Sequence, residues 1–180
     1  MEQRKHSSTA WSVPVVVTDL PDEGQRFELS ADAQSRAAIA ALAALREIGA
    51  LDATFDVVRQ GSGVQVTGEV RATVGQTCVV TLEPIDSVVR ETVDLLYMPA
   101  EEGADEPSRR KKKGEEPPEP LVDGIIDLGA VATEFLVLGL DPYPRKAGAA
   151  FGAVEEPGDT RANPFKGLEV LKKSPETKLK

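Results

Sequence analysis

Glu83, Asp86, Glu91 and Asp94 place four carboxylates within twelve residues. Two such groups held at different pKa values are the usual machinery of acid–base catalysis. The pattern around them is that of a strand and its preceding turn, where outward-facing acids are simply solvated, and that reading is preferred. Cys78 is the one cysteine of the chain. A reactive thiol needs a basic or histidine neighbour to lower its pKa. None lies near it in the sequence, so Cys78 reads as a small buried hydrophobe on a strand. The one histidine, His6, sits at the N-terminal end, which leaves the folded body without a histidine for a catalytic dyad. The chain carries no Gly-x-Ser-x-Gly, no His-Glu-x-x-His and no phosphate-cradling P-loop. Gly61-Ser62-Gly63 is a turn and not a nucleotide loop, because no helical pattern follows it.

The other chemistry the residues could do is contact with phosphate. Arg109, Arg110, Lys111, Lys112 and Lys113 form one basic block, flanked on both sides by acids. A second basic region runs over 161–180 and holds Arg161, Asn163, Phe165, Lys166, Lys172 and Lys173. It has six bases and two acids, a local charge of +4. Its cations could hold phosphates while Phe165 and Leu168 dock on the body or on a partner. The competing reading for both regions is a solvated charged segment, and sequence alone leaves the two open. Trp11 and Tyr143 read as core or edge packing and not as base-stacking platforms.

These residues need elements to carry them. Residues 11–17 form a first strand, which Pro14 marks as an edge or bulged one. Residues 26–29 extend again after the turn Leu20-Pro21-Asp22-Glu23-Gly24. Ser30 opens a helix over 30–48 that contains eight alanines, with Asp32 in its first turn, Gly49 as its stop, and Ile39, Leu42, Leu45 and Ile48 on one side. Alternation of apolar and polar residues over 51–57 and 64–74, across a Gly-rich turn, predicts an antiparallel hairpin with one buried face. Gly68 lies on its apolar side and marks a bulge or a close backbone approach. Further strands are expected at 77–82 and 88–98.

Residues 100–120 hold seven acids, five bases and four prolines and almost nothing apolar, which predicts a mobile charged linker. Residues 121–128 read as a short strand or entry segment. Residues 129–140 are apolar nearly all round, the pattern of a helix buried against a sheet. Glu134 within it is expected to pair with Arg71 or Arg90, or to reach solvent at the sheet edge, rather than to join a recognition surface. Asn163-Pro164 reads as a cap and first-turn proline for a short C-terminal helix with Phe165, Leu168 and Leu171 on one face. The organisation is therefore one α+β domain over 1–99 and 121–144, a disordered charged insert over 100–120, and a mobile segment over 145–180. The sheet should be antiparallel, with about five or six strands and two main helices.

The chain has 180 residues, a net charge of −9 and 4% aromatics. With +4 in the last 20 residues, the first 160 carry −13. That sign disfavours a general nucleic-acid binder and leaves only local basic patches for the task. A single cysteine excludes an internal disulfide framework and any multi-thiolate metal site. No apolar run is long enough to cross a membrane, and the N-terminus lacks the apolar stretch of a signal peptide, so the expectation is a cytoplasmic protein with no membrane partner.

The order of parts is specific. A strand, a helix and a hairpin lead into Val70-Arg71-Ala72-Thr73-Val74-Gly75-Gln76-Thr77-Cys78-Val79-Val80-Thr81-Leu82-Glu83-Pro84. A charged insert follows, then an Ile-Asp-Leu segment, an apolar helix ending in Leu140-Asp141-Pro142-Tyr143-Pro144, and Asn163-Pro164-Phe165 before a leucine-bearing stretch. From about Trp11 to Lys173, apart from the insert, this resembles the YceD family of large ribosomal RNA subunit accumulation proteins. The resemblance implies a non-enzymatic role in accumulating the 23S ribosomal RNA. Many members carry Cys-x-x-Cys where this chain has Cys78-Val79-Val80-Thr81, so any metal or redox role of that pair does not transfer. No cofactor and no small-molecule substrate is expected. The expected partners are large-subunit ribosomal RNA or the pre-ribosome and a basic ribosomal protein. The other classes in play are an acidic adaptor and a small ligand-binding or enzymatic domain.

Overall fold

The computed structural model describes residues 10–99 and 118–150. Seven strands and two helices follow the order β1 (Pro14–Val16), β2 (Gln25–Ser30), α1 (Ala33–Leu42), β3 (Glu47–Gln60), β4 (Gly63–Thr77), β5 (Pro84–Pro99), β6 (Glu119–Leu121), β7 (Ile125–Asp127) and α2 (Leu128–Leu138), with a 3-10 turn at Val17–Asp19. Strands β2-β3-β4-β5-β6 make the main sheet, and β1 pairs with β7 beside it. The architecture is α+β, as the sequence predicts.

Alternation fixes which face is buried. Leu51, Ala53, Phe55 and Val57 of β3 and Val64, Val66, Val70, Ala72 and Val74 of β4 are all buried on one side. The helices cover that side, α1 against β3 and α2 against β4 and β5. A fully buried valine or leucine contributes roughly 1.5–3 kcal/mol, so this double row is the main source of stability. Gly68 sits opposite Phe55 on that row. A Cβ at Gly68 would collide with the Thr54 carbonyl oxygen and lie 2.8 Å from Phe55 Cδ1. The close approach is therefore real. The register slip of this pair lies elsewhere, between Ile48 and Ala50.

Several expectations need correction. The helix is shorter than 30–48. Ser30 ends β2, and Asp32 is the cap, accepting from the Ser35 amide at 2.7 Å. At the other end Ala44 adopts φ 53 and the Leu45 amide reaches back to the Ala40 carbonyl. This six-to-one bond is a Schellman stop, and Ile48, freed from the helix, pairs with Val74 in β3. Leu42 is consequently 70% exposed and not in a buried stripe. Of residues 77–82, Thr77 ends β4 and 78–82 form a turn rather than a strand, because Leu82 takes φ 60 and its amide returns to the Cys78 carbonyl.

The sheet is also not wholly antiparallel. β6 lies parallel to β5, with Tyr97, Met98 and Pro99 opposite Glu119, Pro120 and Leu121. A parallel neighbour requires a long crossover, and the stretch after Pro99 supplies one. Glu119 and Pro120 thus belong to the sheet and not to the linker, while residues 100–117 lie outside the described residues. Trp11 is buried as expected, whereas Tyr143 is 71% exposed.

Candidate functional site

Every residue singled out as a contact to RNA or a partner lies outside the described residues. These are Arg109, Arg110, Lys111, Lys112 and Lys113, and Arg161, Asn163, Phe165, Lys166, Lys172 and Lys173. The short C-terminal helix expected after Pro164 lies outside them too. The described body offers two other places where chemistry-bearing groups gather.

The first is the open face of the main sheet. Cross-strand register aligns Arg26, Asp56, Thr67 and Asp94 in one row, Glu28, Thr54, Glu69 and Thr92 in the next, and Ser30, Asp52, Arg71 and Arg90 in a third. A shallow depression of about 530 Å³ sits among Arg26, Asp52, Thr54, Asp56, Glu69 and Arg71. Its cations are already engaged. Arg71 donates through Nε and a terminal nitrogen to both Glu69 oxygens at 2.8 Å, and Arg26 meets Asp56 at 3.2 Å. The hydrogen bond from Arg71 holds the Glu69 carboxyl below its ordinary value, and Glu69 in turn raises Arg71. Acids remain in excess on this face: Glu28, Asp52, Asp56, Glu69, Asp86 and Asp94 against Arg26, Arg71 and Arg90. Over all described residues there are 18 acids and 8 bases, a net charge of −10.

The second place is the corner where the turn after β4 meets the segment after α2. Cys78 is fully buried. The amides of Lys146 and Thr81 each point at its sulfur from 3.4 Å. The Lys146 amide foremost, and then Thr81, pull the thiol down to about 6, against the opposing effect of burial. The Val79 amide donates to the Pro144 carbonyl, and Lys146 Nζ reaches Glu83 at 3.1 Å. Lys146 and then Thr81 hold the Glu83 carboxyl low. Lys146 was missed in the sequence because 68 residues separate it from Cys78, and no local pattern reports such a closure.

The four clustered carboxylates do not converge. Glu83 is tied to Lys146 in the turn, Asp86 and Asp94 face outward on the open side of β5, and Glu91 faces the helix side. Asp94 accepts a hydrogen bond from Gln65. Glu134 is exposed on α2 and lies on the opposite side of the sheet from Arg71 and Arg90, so it pairs with neither. It lies close to Tyr97, whose phenol is pushed up to about 12 by burial first and by Glu119 and Glu134 next. Among the described residues, no three His, Cys, Asp or Glu side chains come together as a metal site, and no helix is long and apolar enough to cross a membrane.

A different kind of hub is Asp127, the N-cap of α2. Its Oδ1 accepts from the amides of Val13, Gly129 and Ala130, and its Oδ2 from the Ser12 hydroxyl. It joins the start of the described chain to the helix that covers β4 and β5.

No curated protein and no solved structure matches the chain. The family model described as large ribosomal RNA subunit accumulation protein YceD matches residues 66–172. The match opens within β4 and takes in β5, the insert, β6, β7, α2 and the stretch beyond. That is more than half of the 180 residues, and the chain belongs to the YceD family of large ribosomal RNA subunit accumulation proteins.

Proposed function

We propose that this chain is a non-enzymatic factor in large-subunit biogenesis that supports 23S ribosomal RNA accumulation by contact. In this reading its acidic body shields a basic ribosomal protein. Its two basic stretches, Arg109 to Lys113 and the region holding Arg161, Asn163, Phe165, Lys166, Lys172 and Lys173, anchor it to ribosomal RNA. Family membership supports the process. The observation that carries the mechanism is the charge of the body, 18 acids against 8 bases, with one acid-rich sheet face open to solvent. Such a field draws a cationic partner and repels bare RNA, so RNA contact falls to the separate basic stretches.

Sucrose-gradient profiles of cells lacking the protein test the process. Large subunits and 23S RNA should fall relative to small subunits. An unchanged ratio would sink the proposal in favour of an acidic adaptor with other work, or of a small ligand-binding or enzymatic domain. Replacing Lys166, Lys172 and Lys173 by alanine tests the mechanism. Association with pre-ribosomes should weaken and its salt dependence should flatten. Unaltered association at low salt would remove the C-terminal stretch from the contact.

A further inference from the structure

Strand β5 has 16 residues, and among the described residues its outer edge is paired only at Tyr97, Met98 and Pro99, by β6. From Pro84 to Leu96 no strand among the described residues lies beyond it. Such an edge is a template for another chain. This one carries Val88, 64% exposed on the open face, between Asp86 and Arg90.

We infer that β5 pairs with β5 of a second copy, antiparallel, with Val88 on the twofold axis. Antiparallel partners must share a face, which limits the registers to those symmetric about one residue. A register centred on Thr92 would oppose Arg90 to Asp94 of the second copy, but it sends the start of the second β5 into the place β6 occupies beside Tyr97. A register centred on Arg90 sets arginine against arginine and Asp86 against Asp94. A register centred on Val89 sets no unlike charges opposite each other. The register centred on Val88 opposes Asp86 to Arg90 twice and Val88 to Val88. It runs only from Pro84 to Thr92, clear of β6. Opposite charges and apolar pairs directly across two strands each favour pairing by roughly 0.2–1 kcal/mol.

A separate observation points to the same seam. α2 exposes Leu138 at 71% and Val137 at 39%. The next residue, Gly139, is so close to β5 that a Cβ there would lie 2.6 Å from Glu91 Cγ and 2.7 Å from Val89 Cγ1. The apolar end of α2 therefore stands over the strand that forms the seam. A twofold axis through Val88 brings both copies of it to the same side of one continuous sheet. The acidic open face stays uncovered in this dimer, so the inference does not depend on the proposed function.

The test is the mass of the full chain in solution by light scattering, with cross-linking to fix the register. The wild type should have twice the 19.2 kDa chain mass. Arg90→Asp and Asp86→Arg should each weaken the dimer at least about tenfold, and the two together should restore it. Val88→Cys should give a covalent dimer on mild oxidation, since facing Cα atoms in a strand pair lie within disulfide reach. Thr73→Cys, next to Val88 on β4 and away from the edge, should not. A monomeric wild type at about 100 μM, or a dimer indifferent to both charge reversals, would overturn the inference. If a charge reversal fails to fold, the Val88→Cys cross-link decides on its own.

Discussion

The amide of Lys146 points at the sulfur of Cys78 from 3.4 Å, across 68 residues of chain. Together with the Thr81 amide it gives a buried sulfur two donors, an arrangement that favours thiolate over thiol.

The first prediction follows from that geometry. The thiol is pulled down to about 6 in the folded chain, from an ordinary value of 9.0. For a group lowered on folding, the stabilisation is complete above the unfolded value and fades as pH falls through the folded one. Cys78 should thus add to stability most fully above pH 9 and contribute nothing below about 6. Thiolate absorbance in the folded protein should titrate with a midpoint near 6, and in denaturant near the ordinary value. Alkylation of the native protein should nonetheless be slow, because the sulfur is fully buried. A single midpoint near 9 in both states would refute the account.

The second prediction concerns Ala44. It holds the left-handed conformation, φ 53, at the position after the helix where glycine is usual. A Cβ in that region is disfavoured by about 1 kcal/mol. Ala44→Gly should relieve that strain and raise stability by roughly 0.5–1 kcal/mol, read as a higher denaturant midpoint at unchanged slope. A loss of stability would show that the strain is not felt at this site.

Ala44 also shows why part of the fold was legible and part was not. The hairpin of β3 and β4 could be read directly, because Phe55, Val57, Val64, Val66 and Val70 alternate with polar residues and alternation encodes a half-buried sheet. The end of α1 could not, because alanine is the best helix former and nothing in Ala43-Ala44-Leu45 announces a stop. Tertiary pairing of Ile48 with Val74 decided it. The turn over 78–82 was hidden in the same way: its β-branched residues read as strand, while its conformation is set by contacts with Pro144 and Lys146 far along the chain. The parallel placement of β6 depends on where a charged crossover returns, and composition cannot encode that. The open acidic face was implicit in the alternation of β4, but which rows its acids form required the register.

The last prediction concerns Asp127. Its carboxylate caps α2 and at the same time accepts from Val13 and Ser12, which hold β1 against β7. Loss of an N-cap alone costs about 0.5–2 kcal/mol. Here the same substitution also leaves the part-buried Val13 amide without its acceptor, which costs about another 1–3 kcal/mol. Asp127→Ala should therefore destabilise the body by more than an ordinary cap, at least about 2 kcal/mol. Asp127→Asn should recover part of that, since an amide oxygen can still cap while its other end cannot accept from Ser12. Hydrogen exchange distinguishes the two contributions. In Asp127→Ala the amides of β1 and β7 should lose protection together with the first turn of α2, because one side chain fastens both. Protection lost only in α2 would mean that the β1–β7 pair stands on its backbone bonds and the packing of Val15 and Ile126 without help from the carboxylate.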